Sequence, residues 1–162
     1  MTITQAIQNG FRNAFTFSGR SRRPEYWFFF AFVFGGAAVL SVLELAIRGT
    51  TGGLVLRAFQ IIVFVPFLAV GWRRLQDTGR PGWFLLVPSA IVVASTFVSG
   101  SVFQHMIGII LSPFGLAARG GPDGIVGVMS IVQILAGLVI VFWMSRSSQR
   151  GPNTYGPEPR VH

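Results

Sequence analysis

The sequence predicts an all-α membrane protein with four transmembrane helices, cytoplasmic N- and C-termini and a short amphipathic helix before the first span. Its composition leads to this fold class. Of the 162 residues, 51% are hydrophobic and only 11% are charged, whereas a soluble domain carries about 25% charged residues. The mean hydropathy is +0.61. Since so few charges cannot cover the surface of a water-soluble globule, the composition excludes an ordinary cytosolic enzyme.

Four apolar stretches are long enough to cross a bilayer, because about 20 helical residues span the ~30 Å hydrocarbon layer. The predicted spans are residues 26–47, 54–72, 83–101 and 125–144. They form a single membrane domain over residues 1–162. Membrane helices approach closely where side chains are small, so helix contacts are expected at Ala31, Gly35, Ala90 and Ala94.

The segment before the first span has the pattern of an amphipathic helix. Apolar residues recur at helical spacing through residues 3–15, opposite a polar face. Such a helix is typical of a segment that lies in the membrane interface. We therefore expect it on the cytoplasmic surface.

Arginine and tryptophan placement predicts the orientation. All 13 basic residues are arginines, and the formal net charge is +8. With four spans, ten arginines share one side, which the positive-inside rule makes cytoplasmic. They are Arg12, Arg20, Arg22, Arg23, Arg73, Arg74, Arg80, Arg146, Arg150 and Arg160. The four tryptophans, Trp27, Trp72, Trp83 and Trp143, each mark the cytoplasmic end of one span, as indole rings favour that boundary. Residues 145–162 are then a cytoplasmic tail.

Residues 102–118 leave two interpretations open. The stretch is apolar enough for a fifth span, but Pro113 divides it and it carries Gln104 and His105. A fifth span would move the arginine-rich tail outside, against the charge rule. The favoured interpretation is an interfacial or re-entrant segment on the outer side.

Three polar motifs lie at the cytoplasmic boundary: residues 17–27 (first motif), 73–83 (second motif) and 151–159 (third motif). Glu25 suits the first turn of a helix. If the second span continues by one turn, Arg73 and Asp77 lie four residues apart and can pair, and Gly79 ends the helix. The third motif is too rich in Pro and Gly for regular structure and is expected to be an extended, free tail.

The two acids of the first and second motifs are expected to have arginine partners. A partly desolvated carboxylate needs a cation, and arginine can hold it with two hydrogen bonds. We therefore predict that Glu25 and Asp77 each pair with an arginine. At least one of these pairs should join the first motif to the second.

The three motifs resemble the signatures of the bacterial inner-membrane proteins grouped as domain of unknown function 805. The matching residues are Phe17, Gly19, Arg20, Arg23, Glu25, Tyr26 and Trp27; Arg73, Arg74, Leu75, Asp77, Arg80 and Trp83; and Gly151, Asn153, Tyr155, Gly156, Pro157 and Pro159. The resemblance implies four membrane helices and a cytoplasmic face that bears all three motifs, but no activity. Gln76 stands where the family has histidine, which excludes a proton-transfer role there. The outer segment is also longer than the usual connection.

The sequence lacks the residue combinations that common catalytic and metal sites require. Without cysteine, with two histidines at positions 105 and 162, and without lysine, the chain lacks a histidine cluster, a thiolate site and a Walker loop. We therefore expect no enzyme activity, no metal and no cofactor; a lipid-modifying role for Glu25 or Asp77 is the weakest hypothesis. The sequence pI of about 11.8 reflects membrane orientation rather than nucleic-acid binding.

Two function classes remain, and both place the protein in the bacterial inner membrane. The favoured one is a scaffold or regulatory protein whose arginine-rich cytoplasmic surface recognises anionic lipid headgroups or a protein partner, with a homo-oligomer as a further option. The alternative is an oligomeric transporter or channel for a small solute. A third, plainer interpretation is that the arginines serve only topology and nonspecific lipid contact.

Overall fold

The computed structural model describes residues 1–46, 53–99 and 124–159. Five α-helices lie in these ranges: α1 (Ile3–Arg12), α2 (Arg23–Ala46), α3 (Leu54–Asp77), α4 (Leu86–Ser99) and α5 (Gly124–Ser145), with a short 3-10 helix at Gly82–Leu85. The chain divides into two compact units, of which the first is Met1–Leu85 with Trp143–His162 and the second is Leu86–Phe142. An all-helical architecture is therefore confirmed for the described residues.

Helix α1 confirms the predicted N-terminal helix, although it ends at Arg12 rather than at residue 15. The Thr2 side chain accepts from the Gln5 backbone N–H, and the Gln5 side chain accepts from the Thr2 N–H at 2.8 Å. This capping box satisfies backbone donors at the helix start. Gly10 lets α1 pack against α2, because a Cβ there would overlap the Phe29 ring.

Helices α2 and α3 are the two helices of the first unit that are long and apolar enough to cross a membrane, by length and composition. They contact each other through Gly36, where an added Cβ would lie 2.7 Å from the Phe59 ring. The expected contact at Gly35 and Ala31 is wrong, since both are exposed and no described atom lies within 4 Å of a Cβ built on Gly35. Gly36 faces a different direction from Gly35, because each residue of an α-helix is rotated by about 100° from the one before it.

The end of α3 follows the predicted pattern. The helix continues to Asp77, and Gly79, with a φ of 79°, accepts the left-handed conformation that ends it. The chain then forms the 3-10 helix and enters α4 at Leu86. Pro88 explains this late start, because its ring would clash with the carbonyl four residues earlier in an α-helix that began at Trp83.

The second unit contains α4 and most of α5. The Gln133 side chain donates to the Val92 carbonyl at 3.4 Å, which links the two helices. Ala90 and Ala94 are exposed, and the helix contacts expected there stay a prediction. The apolar helical stretches Gly82–Ala94 and Ile131–Ser145 are shorter than those of α2 and α3. The predicted outer segment 102–118 lies outside the described residues.

Candidate functional site

Charged residues of the first and second motifs are buried together where α2 begins and α3 ends. We call this group the polar cluster; its members are Arg20, Glu25, Arg73, Arg74 and Asp77. Each of the two carboxylates is paired with an arginine, as the sequence predicts, and two of the pairs join the first motif to the second. Buried charges are stable in proteins when they are paired and hydrogen-bonded.

Asp77 is the centre of the polar cluster. Its Oδ1 accepts from Arg20 Nε at 2.9 Å, and its Oδ2 accepts from Arg74 Nη1. The side chains of Arg20 and Asp77 are 1% and 0% exposed. The predicted partner Arg73 is wrong for this carboxylate. Its two oxygens are occupied by Arg74, three residues before it, and by Arg20 from the linker between α1 and α2 (residues 13–22).

Arg73 instead pairs with Glu25 at the start of α2. Its Nη1 lies 3.7 Å from Glu25 Oε1, and its Nε donates to the Ala69 carbonyl at 3.3 Å. Because successive residues of α3 point in different directions, Arg73 faces α2 while Arg74 faces the last turn of its own helix and the tail. The two adjacent arginines therefore serve two different carboxylates.

Two of the buried arginines, Arg20 and Arg74, also donate to backbone carbonyls at the end of α5 and in the C-terminal tail. Arg20 donates to the carbonyls of Gln149 and Gly151. Arg74 donates through Nε to the Met144 carbonyl at 3.1 Å, and also to the Arg146 carbonyl. Its Nη1 further donates to Ser148 Oγ at 3.0 Å. The guanidinium groups thus hold the tail against the polar cluster.

The tail in turn caps the C-terminus of α3. The last carbonyls of a helix have no partner within the helix. Here the Gln149 N–H donates to the Asp77 carbonyl at 2.9 Å, and Asn153 Nδ2 donates to the Gln76 carbonyl at 2.9 Å. The expectation of an extended, free tail is therefore wrong, because a loop without regular structure can still satisfy its polar groups on a neighbouring helix end.

The third motif forms a tight turn rather than an extended strand. Backbone hydrogen bonds of 3.0 and 3.1 Å join Asn153 and Gly156 in both directions. Asn153 Oδ1 accepts from the Tyr155 N–H at 2.9 Å, and Gly156 has a φ of 139°. The Glu158 side chain links the two ends of the third motif, since it accepts a hydrogen bond from the Gly151 N–H at 2.8 Å.

The aromatic residues of the first motif pack beside the polar cluster. Phe17 meets Trp72 edge to face at 5.5 Å, and Tyr26 stacks on Phe67 at 5.7 Å. Trp27 lies edge to face with Tyr26 at 5.5 Å. In the linker, Gly19 has a φ of 100°.

The other predicted residues lie at the margin of the polar cluster. Arg23 donates through Nε to the Arg146 carbonyl at 2.8 Å. The Arg80 guanidinium carbon lies 6.0 Å from the centroid of the Trp143 ring, at the limit for a cation–π contact. Trp83 is exposed and contacts the neighbouring Phe84 ring.

Several partners in this site escape sequence reasoning. The acceptors at Met144, Arg146, Gln149 and Gly151 are main-chain carbonyls, which every residue carries and no motif marks. Ser148 is one serine among many. Gly82 is a different case: a Cβ there would overlap the Trp72 ring, and its place between Pro81 and Trp83 in the second motif was the available signal.

The chemistry of the site is that of charge pairing. Both oxygens of Asp77 are already held by guanidinium groups. Within the described ranges, no three His, Cys, Asp or Glu side chains group closely enough to hold a metal ion. The arrangement can orient the linker, the α3 terminus and the tail, and it can present the arginines at its edge to an anion.

Comparison with known proteins gives relatives of this chain. Inner membrane protein YhaH of Escherichia coli is 37% identical over 79 residues, which cover 47% of this chain and 65% of the relative. Inner membrane protein YhaI of Escherichia coli is 40% identical over 76 residues, covering 46% and 64%. The chain thus matches slightly less than two thirds of the length of these relatives.

No solved structure matches the chain significantly. A family model matches residues 14–157 and carries the description "Protein of unknown function (DUF805)". All three motifs fall within or reach into this range, which covers far more than half of the sequence. The protein belongs to the DUF805 family.

Proposed function

We propose that the protein is a four-span inner-membrane scaffold or regulatory protein with cytoplasmic termini, whose arginine-rich face contacts anionic headgroups or a protein partner. Each predicted span overlaps a described helix. The names of the two Escherichia coli relatives, both inner membrane proteins, support the membrane assigned. Helix α5, with 22 residues, is about 33 Å long at 1.5 Å per residue, which suits a membrane span.

The observation that carries the topology is the bond between the end of α3 and the end of α5. Arg74 donates to the carbonyls of Met144 and Arg146, which supports a return of the chain after α5 to the membrane face that it leaves after Asp77. A chain that returns to the same face of a membrane has crossed it an even number of times. Two further spans, rather than three, fit this condition and favour the outer interfacial interpretation of residues 102–118.

A scaffold role is supported by the ion pairs and hydrogen bonds that the motif arginines form within the protein. Arg20 and Arg74 donate to Asp77 and to the tail, and Arg73 pairs with Glu25, which supports a cytoplasmic face of fixed shape. The exposed arginines beside it include Arg12 and Arg150, and these are available to an anionic surface. An arginine near an anionic leaflet contributes about 1 kcal/mol of attraction.

Reporter fusions test the topology. A reporter that is active only outside the cytoplasm should be silent at His162 and active at Gly121, with the opposite pattern for a cytoplasmic reporter. The fusion at Gly52 should behave like that at Gly121. Activity of the external reporter at His162 would contradict the four-span proposal.

Lipid dependence tests the role of the exposed face. The full chain in phosphatidylglycerol nanodiscs should unfold at a higher temperature than in phosphatidylcholine nanodiscs. Charge removal in the double variant Arg12→Gln, Arg150→Gln should shrink the difference, whereas the single variant Thr154→Ala, at another exposed position, should leave it unchanged. Equal unfolding temperatures of the unaltered protein in the two bilayers would argue against lipid recognition.

A further inference from the structure

A surface cavity of about 230 Å³ opens beside the polar cluster, entirely within the first unit. Its walls come from the start of α2, the end of α3 and the tail, and they consist of Arg22, Arg23, Pro24, Asp77, Ser148, Glu158 and Pro159. Since one water molecule takes about 30 Å³ in the liquid, the cavity has room for a group of several heavy atoms. The tail is one wall, so the cavity exists because the tail is folded back.

The cavity wall carries two arginines, Arg22 and Arg23, and two acids, Asp77 and Glu158. Asp77 is already paired with Arg20 and Arg74 of the polar cluster, so Glu158 is the wall carboxylate that faces the two wall arginines. One positive charge of the wall is therefore uncompensated. In a partly buried place an uncompensated charge is costly, and an anion would neutralise the excess.

The two arginines of the cavity wall also have donors to offer. Arg22 donates through one nitrogen to the Pro159 carbonyl, and Arg23 donates through Nε to the Arg146 carbonyl. Each guanidinium has five N–H groups, so most of these donors remain after the contacts seen within residues 1–46, 53–99 and 124–159. Ser148 adds a hydroxyl, and the first turn of α2 adds the positive end of a helix dipole.

We propose that this cavity binds a phosphate group. A phosphate has the required charge, and its oxygens match the planar fork of a guanidinium with two parallel hydrogen bonds. The inference rests on the proposed function and deepens it, because it names the place where a phosphate-bearing group is held. Glu158 limits the affinity, since its carboxylate repels the phosphate from the opposite wall.

The phosphate can belong to a lipid headgroup or be free in solution, and two measurements distinguish these sources. In one, the full chain in detergent is titrated with inorganic phosphate by calorimetry, with sodium chloride of equal ionic strength as the blank. In the other, native mass spectrometry compares retention of phosphatidylglycerol with that of diacylglycerol of the same acyl chains, which lacks phosphate. Preferential retention of phosphatidylglycerol identifies a lipid headgroup as the source of the phosphate. A binding heat with inorganic phosphate, without preferential lipid retention, identifies the free ion.

Three variants connect the binding to the cavity. In whichever of the two assays detects binding, Arg22→Gln should weaken the affinity for phosphate about tenfold or more. This is the effect expected for the loss of a charge-assisted hydrogen bond. Arg57→Gln removes the same charge from an exposed position near the start of α3, at the opposite end of that helix from the cavity wall, and should change the affinity less than about twofold at this ionic strength. Glu158→Gln should strengthen the binding, an effect that misfolding cannot imitate.

The outcomes separate this inference from the proposed function. Absence of binding in both assays overturns the cavity site, as does an equal loss in Arg22→Gln and Arg57→Gln or a weaker affinity in Glu158→Gln. If phosphatidylglycerol nanodiscs still stabilise the protein in that case, the lipid-contacting face stands without the cavity. If inorganic phosphate binds with the expected variant pattern but the nanodiscs show no lipid dependence, the cavity stands as a free-phosphate site and lipid recognition fails.

Discussion

The polar cluster buries charged side chains, whereas the middle of α3 exposes apolar ones. Arg74 and Asp77 in the polar cluster are 0% exposed, whereas Ile61 and Ile62 in α3 are 74% and 64% exposed. In a water-soluble protein arginine and aspartate are rarely buried, and isoleucine is among the residues most often inside. The two regions of one helix therefore follow opposite rules.

The difference shows which interactions replace water in each region. Within the polar cluster, buried guanidinium groups exchange hydration for carboxylates and carbonyl oxygens supplied by the linker and the tail. Along the middle of α3, exposed isoleucines need no protein partner if hydrocarbon surrounds them. The end of α3 is thus stabilised by hydrogen bonds that the folded linker and tail supply. The middle of α3 needs no such partners where hydrocarbon surrounds it.

Loss of the central carboxylate should be the largest effect. Asp77→Asn leaves Arg20 and Arg74 buried without their counter-charge, and should lower the free energy of unfolding by about 3–5 kcal/mol. The measurement is reversible unfolding of the full chain in mixed micelles. The control Glu158→Gln alters an exposed acid whose hydrogen bond an amide oxygen can keep, so it should cost at most about 1 kcal/mol. Similar small losses in both variants would mean that the polar cluster is solvated.

A charge in the apolar region tests its environment. Ile62→Arg should raise the apparent free energy of membrane insertion by about 2–3 kcal/mol, since arginine near a span centre is unfavourable in hydrocarbon. The inserted fraction of the segment in a translocation assay measures this change. Ile62→Val keeps an apolar side chain and should insert normally. Normal insertion of the arginine variant would indicate that this face of α3 meets water.

Close helix packing inside the first unit should respond to a single methyl group. Gly10→Ala forces a Cβ into the fully buried Phe29 ring, and overpacking of this kind costs about 1–3 kcal/mol. Gly35→Ala, in open space on α2, should be neutral or slightly stabilising, because alanine favours a helix more than glycine does. Thermal unfolding in detergent compares the two. A harmless Gly10→Ala would contradict the contact between α1 and α2.

The smallest expected effect concerns the tail. Asn153→Ala removes the hydrogen bond to the Gln76 carbonyl and should cost about 1 kcal/mol. The local readout is faster hydrogen exchange at the Gln149 amide, which donates to α3. Thr154→Ala alters an exposed neighbour and should leave that exchange unchanged. Unaltered exchange in both variants would show that the arginines hold the tail without the third motif.

Local patterns were sufficient to predict much of the site. The continuation of α3 to Asp77, its end at Gly79 and the pairing of both acids with arginines follow from helix periodicity, backbone conformation and the need to compensate a desolvated charge. The specific pairs were not accessible in the same way. Arg73 has the better sequence spacing to Asp77, yet it binds Glu25, because α2 presents that carboxylate on the side of α3 that Arg73 faces.

The sequence by itself determined the helical segments and the positions of the charged motifs at their ends, because hydrophobic length and residue type are local properties of the chain. The tertiary structure alone decided that the tail folds onto α3, that Gly10 and Gly36 rather than Gly35 are the contact glycines, and that a charged cavity opens beside Asp77. These features depend on which surfaces meet and on main-chain carbonyls that every residue possesses. No local pattern encodes such partners, because hydrogen bonds and close packing are selected only when distant segments are brought together.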